Sequence, residues 1–263
     1  MDNAEIRRTN RKALPKFILL LGVAMIVGGA CGYLSGSFRL DLLAGGIKRA
    51  GAFFAAHIAP WLMAATAVLL PAVCVPFYRS ARKLLGAWDG EDESLSDAID
   101  RKLSAAIWIS SVSLVFAYFL IAAAYSGGFA TFDSRRGTLA LCVAIAGFFA
   151  VLIEAILLQQ KCVDAARQIN PEKKASVYDM RFQRKWMEDC DEAERLIIGK
   201  CAYKAYSATN TVCTVLAIVL AIGALVFEIG FLPSLMVCLV WIVNLSVYCR
   251  EALRYSKAGN RIS

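Results

Sequence analysis

The sequence has little of what most enzyme chemistry uses. His57 is the only histidine in 263 residues, which excludes a transition-metal site built on several imidazoles within one chain. The nine cysteines stand singly, in odd number, with no CxxC pair, so they read as small buried hydrophobes and not as a disulfide framework. No phosphate-binding GxxxxGK loop, GxSxG elbow or HExxH helix occurs. Neither a metal nor another cofactor is expected. Charge is scarce too: 19% of residues are charged and 59% hydrophobic, whereas soluble domains carry about 25% charge and 45–50% apolar residues. A soluble globular domain is thereby excluded.

What charge there is has a pattern. The net +8 could suggest nucleic acid. The basic residues, however, flank long apolar runs and form no stripe interleaved with aromatics, so no direct nucleic-acid contact is expected. Crossing a hydrocarbon core takes about 20 helical residues, and the apolar runs predict six spans, at about 17–37, 55–78, 105–125, 138–158, 209–231 and 232–249. With the N-terminus inside, 24 of the 29 Lys and Arg fall in inner segments and 5 in outer ones. By the positive-inside rule both termini are cytoplasmic. The first run follows a basic leader as a secretory signal would, but it continues past any plausible cleavage site and reads as a retained span.

The fold expected is all-α: a six-helix transmembrane bundle, N-in and C-in, forming a single integral domain over 1–263 with a cytoplasmic helical hairpin. Its inner loops are 79–104 and 159–208. In the first, Ser94 followed by Asp97 suggests a capping box that starts a helix. In the second, Asn170-Pro171 suggests a stop and a restart, with Asn170 as N-cap and Pro171 in the first turn. No proline then interrupts the chain from Asp179 to Pro233, and residues 187–208 alone, if helical, span about 33 Å.

Ionisable groups within spans are functional candidates by default. His57, Glu154 and Glu228 are the intramembrane polar candidates, although each lies near a span end from which it can reach the interface. Pro60 and Trp61 suit the outer start of the second span, with His57 at the interface. Leu40, Leu43 and Ile47 have the spacing of a short helix lying on the membrane. Gly28, Gly32 and Gly36 recur every four residues, a spacing that lets backbones approach closely, within the bundle or between protomers of a homo-oligomer. Pro71 and Pro76 predict a kink in the second span.

The densest polar constellation is NPEKKASVYDMRFQRKWMEDCDEAERLIIGKCAYKAY, from Asn170 to Tyr206. Phe182, Trp186, Cys190, Ala193 and Ile197 follow a 4-4-3-4 spacing, one face of a helix, with Asp191, Glu192 and Glu194 beside it. The face either packs on the protein's own fourth helix or, with Tyr178 and Asp179, docks a partner; carboxylates serving a metal or acid–base chemistry are the least favoured reading, because no histidine or nucleophile accompanies them. Through NPEK, SVYD, the Phe182–Trp186 pair and DEAE followed by AYKAY, the chain resembles an uncharacterised family of bacterial multipass membrane proteins, domain-of-unknown-function family 3169. The resemblance implies a bacterial cytoplasmic membrane and supplies no activity. The function expected is non-enzymatic: a protein in contact with the lipid bilayer that docks or regulates a cytoplasmic protein partner through its inner loops. The competing expectation is a small-molecule or ion transporter.

Overall fold

A computed structural model describes residues 40–257 apart from 174, 228 and 229, together with 15, 18, 19, 22, 23, 25, 26, 29, 30 and 33. Among these residues the chain is all helical, without a strand. Helix α1 (Leu40–Phe53) leads through a π-helical turn (Phe54–Ile58) into α2 (Ala59–Ala87); α3 is Glu93–Tyr125, and a 3₁₀ segment (Gly128–Asp133) connects it to α4 (Arg135–Ile169). Then follow the short α5 (Phe182–Glu188), α6 (Glu192–Phe227) and α7 (Leu232–Lys257). Five stretches are long and apolar enough to cross a membrane: Gly45–Ala87, Glu93–Tyr125, Arg135–Ile169, Glu192–Ala224 and Leu232–Glu251. They match the second to sixth predicted spans. Most of the first predicted span, including Gly28, Gly32 and Gly36, lies outside the described residues, as does Glu228.

The chain forms two compact units, residues 48–197 and residues 1–47 with 198–263. The core of the first unit lies between α2, α3 and α4. Ala59, Met63, Leu70, Cys74 and Ala81 are buried at 4-7-4-7 spacing along α2, the repeat of helices that wrap around one another. Alanines 106 and 117 of α3 and 144 and 155 of α4 are wholly buried, so small side chains let the backbones close in. Gly147 of α4 is another such point, facing α2. A Cβ there would stand 2.8 Å from Cγ of the fully buried Met63. Polar bonds also bind these helices: Gln159 donates to Ser110 Oγ at 3.1 Å and to Ser111 Oγ at 3.2 Å, and Arg82 to Gln168 at 3.1 Å.

Several local expectations are corrected. Helix α2, expected to end with the apolar run near Tyr78, continues to Ala87 with Pro71 and Pro76 inside it. A membrane helix tolerates the two missing donors when neighbouring helices pack around it. The α3 cap is Asp92, not Ser94: its carboxylate accepts from the Ser94 amide at 2.9 Å and the Leu95 amide at 3.3 Å. Asp89 has already turned the chain, accepting from the amides of Glu91 and Asp92, with Gly90 at φ 95°, where only glycine is unstrained. Asn170 ends α4 as expected, but no helix restarts at Pro171; turns run to Arg181.

In the second unit, α6 and α7 meet through side chains. Asn210 Oδ1 accepts from Trp241 Nε1 at 3.1 Å and Asn244 Nδ2 at 3.3 Å, and Tyr206 stacks on Tyr248 with centroids 4.5 Å apart. The other faces are lined with exposed Val212, Leu216, Val219, Leu239, Val243 and Val247. Such surface suits contact with lipid tails.

Candidate functional site around Lys173

The most connected polar structure in the first unit forms where α4 ends. At its centre is Lys173, only 5% exposed. Its ammonium lies 2.5 Å from Glu194 Oε1 and 4.9 Å from the centre of the Trp186 ring. A buried charge is costly unless paired, and here a carboxylate and a π face replace its water. The backbone around it is held as well. Lys173 N donates to Asn170 O at 3.1 Å, and Arg167 Nε donates to Lys173 O at 3.0 Å. Asp100 of α3 also lies in the field of Lys173 and Glu194.

The following turns are clipped to α4 by one side chain. Buried Gln160 accepts from the Val177 amide at 2.9 Å and from Ser176 Oγ at 3.1 Å, while its own amide donates to Asp164 at 2.8 Å. Asp179 then organises the start of α5. It accepts from the Arg181 amide at 2.8 Å and pairs with Lys185; these partners hold its carboxyl below the usual carboxylate range, Lys185 most strongly. At the other end of α5, Arg195 caps the helix by donating to the carbonyls of Met187 and Glu188.

The continuous apolar helical face predicted from Phe182 to Ile197 does not form. The chain breaks at 189–191, between α5 and α6. Asp191 accepts from the Glu194 amide at 2.7 Å and so begins a new helix. Cys190 is buried, and that burial, followed by Glu194, pushes its thiol up. Ala193 and Ile197 are exposed.

One family's sequence model matches residues 11–252, under the description "Protein of unknown function (DUF3169)". The chain belongs to this family. No curated protein and no solved structure matches it. In this DUF3169 protein, the seven residues singled out for docking have distinct positions. Trp186 and Glu194 hold Lys173, and Phe182 lies against Trp186 with ring centroids 5.6 Å apart. Asp179 and Asp191 organise helix starts. Tyr178 is 63% exposed, and Met180 and Glu192 are also exposed.

The two described intramembrane candidates, His57 and Glu154, are not gathered into the Lys173 cluster. His57 is exposed in the π turn and stacked on Phe53, with centroids 4.8 Å apart. Glu154 is half-buried on α4, and its Oε2 is buried with no hydrogen-bond partner among the described residues. Those residues contain no group of three His, Cys, Asp or Glu arranged to hold a metal. The hub Lys173 and the clip Gln160 were missed in the sequence. A lysine within NPEKK carries no mark of burial, whereas Gln159-Gln160 interrupting an apolar run was a usable signal.

Proposed function

We propose that this is a non-enzymatic, six-span protein of a bacterial cytoplasmic membrane, with both termini inside, that docks or regulates a cytoplasmic protein partner. The observation that carries the reading is the order around Lys173. Glu194, Trp186 and Gln160 hold the turns that present Tyr178 and Met180 to solvent, Met180 fully exposed. Tyrosine is favoured at binding hot spots and methionine adapts to varied apolar partners. Fixing the backbone beneath them reduces the ordering cost of association. Exposed Asp191 and Glu192 at the start of α6 offer negative charge to a basic patch on such a partner.

The test compares variants by melting and by recovery of a co-purifying protein from the native membrane. Tyr178→Ala with Met180→Ala is expected to lose the partner with little change in melting. Trp186→Ala is expected to lower the melting temperature, because the ring lies under the ammonium and against Phe182. Retention of every co-purifying protein by the Tyr178/Met180 variant contradicts docking through this surface. One observation favours the transport reading, the buried oxygen of Glu154 that has no hydrogen-bond partner among the described residues. Ion flux through reconstituted vesicles that Glu154→Gln abolishes would move the assignment to transport.

A further inference from the structure

At the other end of the first unit, the ends of α2, α3 and α4 enclose a cavity of about 800 Å³. It has a built rim. The π turn places the consecutive residues Ala55, Ala56 and His57 along one wall, and such turns are frequent at functional sites. The 3₁₀ connection is folded tightly onto the start of α4. A Cβ on Gly137 would stand 2.4 Å from the Thr131 carbonyl oxygen, and one on Gly127 2.6 Å from Thr131 Oγ1. This close approach brings Thr131 and Ser134 to the cavity beside Arg136.

The lining joins two chemistries. Most of it is alanine, leucine, valine and the Trp61 ring, while His57, Ser126, Thr131, Ser134 and Arg136 supply the polar part. Among the described residues no carboxylate lines the cavity and no ion pair involves Arg136. Arg136 lies in the first turn of α4, and Ser134, which precedes the helix, makes no side-chain cap. A cation there is opposed by the positive end of the helix, so the mouth concentrates positive potential without an internal counter-charge. Just outside the lining, Asp133 and Arg135 flank Ser134 in sequence with opposite charges.

We propose that this cavity binds a phospholipid with an anionic headgroup. The phosphodiester lies against Arg136 and the Ser/Thr hydroxyls, and an acyl chain follows the alanine wall. The volume is that of a small-molecule site, about 300–1,000 Å³, and far exceeds what a phosphate ion needs. Trp61 and Leu139, each 61% exposed, border the cavity on helices long and apolar enough to cross a membrane. An aromatic at that position suits the level of lipid headgroups.

The full-length protein in a zwitterionic detergent, titrated with dioleoyl phosphatidylglycerol or dioleoyl phosphatidylcholine and followed by native mass spectrometry, tests the proposal. Phosphatidylglycerol is expected to bind about tenfold more tightly, the equivalent of about 1.4 kcal/mol. Arg136→Gln is expected to abolish the preference, with Arg136→Lys restoring part of it and Arg135→Gln retaining it. Inorganic phosphate in large excess is expected not to displace the lipid. Equal binding of the two lipids by the unaltered protein overturns the proposal, and that comparison needs no variant to fold. Binding of neither lipid, as when another part of the chain fills the cavity, overturns it too. So does equal loss in Arg135→Gln and Arg136→Gln. Displacement by inorganic phosphate would assign the site to a small anion instead.

Discussion

Lys173 and Glu194 are unequal partners. The lysine side chain is 6% exposed and the glutamate 36%. Neutralising Glu194 leaves a buried ammonium facing a weak acceptor, while neutralising Lys173 leaves a carboxylate that water can reach. Glu194→Gln should therefore destabilise by about 2 kcal/mol, whereas Lys173→Met, an apolar replacement of similar length, should stay within about 1 kcal/mol of the unaltered protein. Combining Lys173→Met with Glu194→Gln should recover most of the loss. Denaturant unfolding in detergent measures all three, and equal destabilisation by the two single changes contradicts a buried-charge hub. At this scale the sequence was partly legible. Trp186 and Glu194 stood out, but their role turned inward because Lys173, indistinguishable in sequence from a surface lysine, occupies the space between them.

The helices extend beyond their apolar runs because hydropathy marks where a helix meets lipid, not where it ends. Ends are set by caps and turns. The segment 79–104, taken as a loop from its charge, is helical to Ala87 and again from Glu93, with only a short turn between. The turn is written in local polar residues, but DGEDES offers several cap candidates and the choice among them depends on geometry. Likewise the 4-4-3-4 spacing from Phe182 to Ile197 is a true helical period, overridden because Asp191 bonds the Glu194 amide and restarts the chain. The Asp92 cap gives a pH prediction. Its carboxyl is held below the ordinary aspartate range by the Ser94 hydroxyl first and the Leu95 amide next. A depressed carboxyl stabilises the fold above the unfolded-chain value, about 3.9, and the contribution is lost as pH falls through the lower folded value. Hydrogen-exchange protection at Ser94 and Leu95, corrected for intrinsic rates, should fall in Asp92→Ala at neutral pH. The difference from the unaltered protein should close below the folded value. Equal protection at neutral pH contradicts the cap.

Across the whole molecule, two ends of the α2–α3–α4 unit carry different chemistry. From Arg136 at the cavity to Gln160, which clips the turns after Lys173, is about 36 Å along α4, more than a hydrocarbon core of about 30 Å. The proposed topology puts the cluster, Tyr178 and Met180 in the cytoplasm and the cavity on the outside. The all-helical fold and five of the apolar spans were legible because length and hydropathy decide them directly. The polar bonds of Asn210 with Trp241 and Asn244 were not, since an asparagine within an apolar run does not name its partner. Orientation rests on charge: the segments proposed as inner hold 24 of the 29 basic residues. Paired reporter fusions, one active only in the cytoplasm and one only outside, test this most directly. Fusions after Lys83, Lys173 and Lys257 should report the cytoplasm, and those after Arg49 and Arg135 the outside. A cytoplasmic signal after Arg49 or Arg135, or an outside signal after Lys173, would contradict both the six-span topology and a cytoplasmic role for the Lys173 cluster.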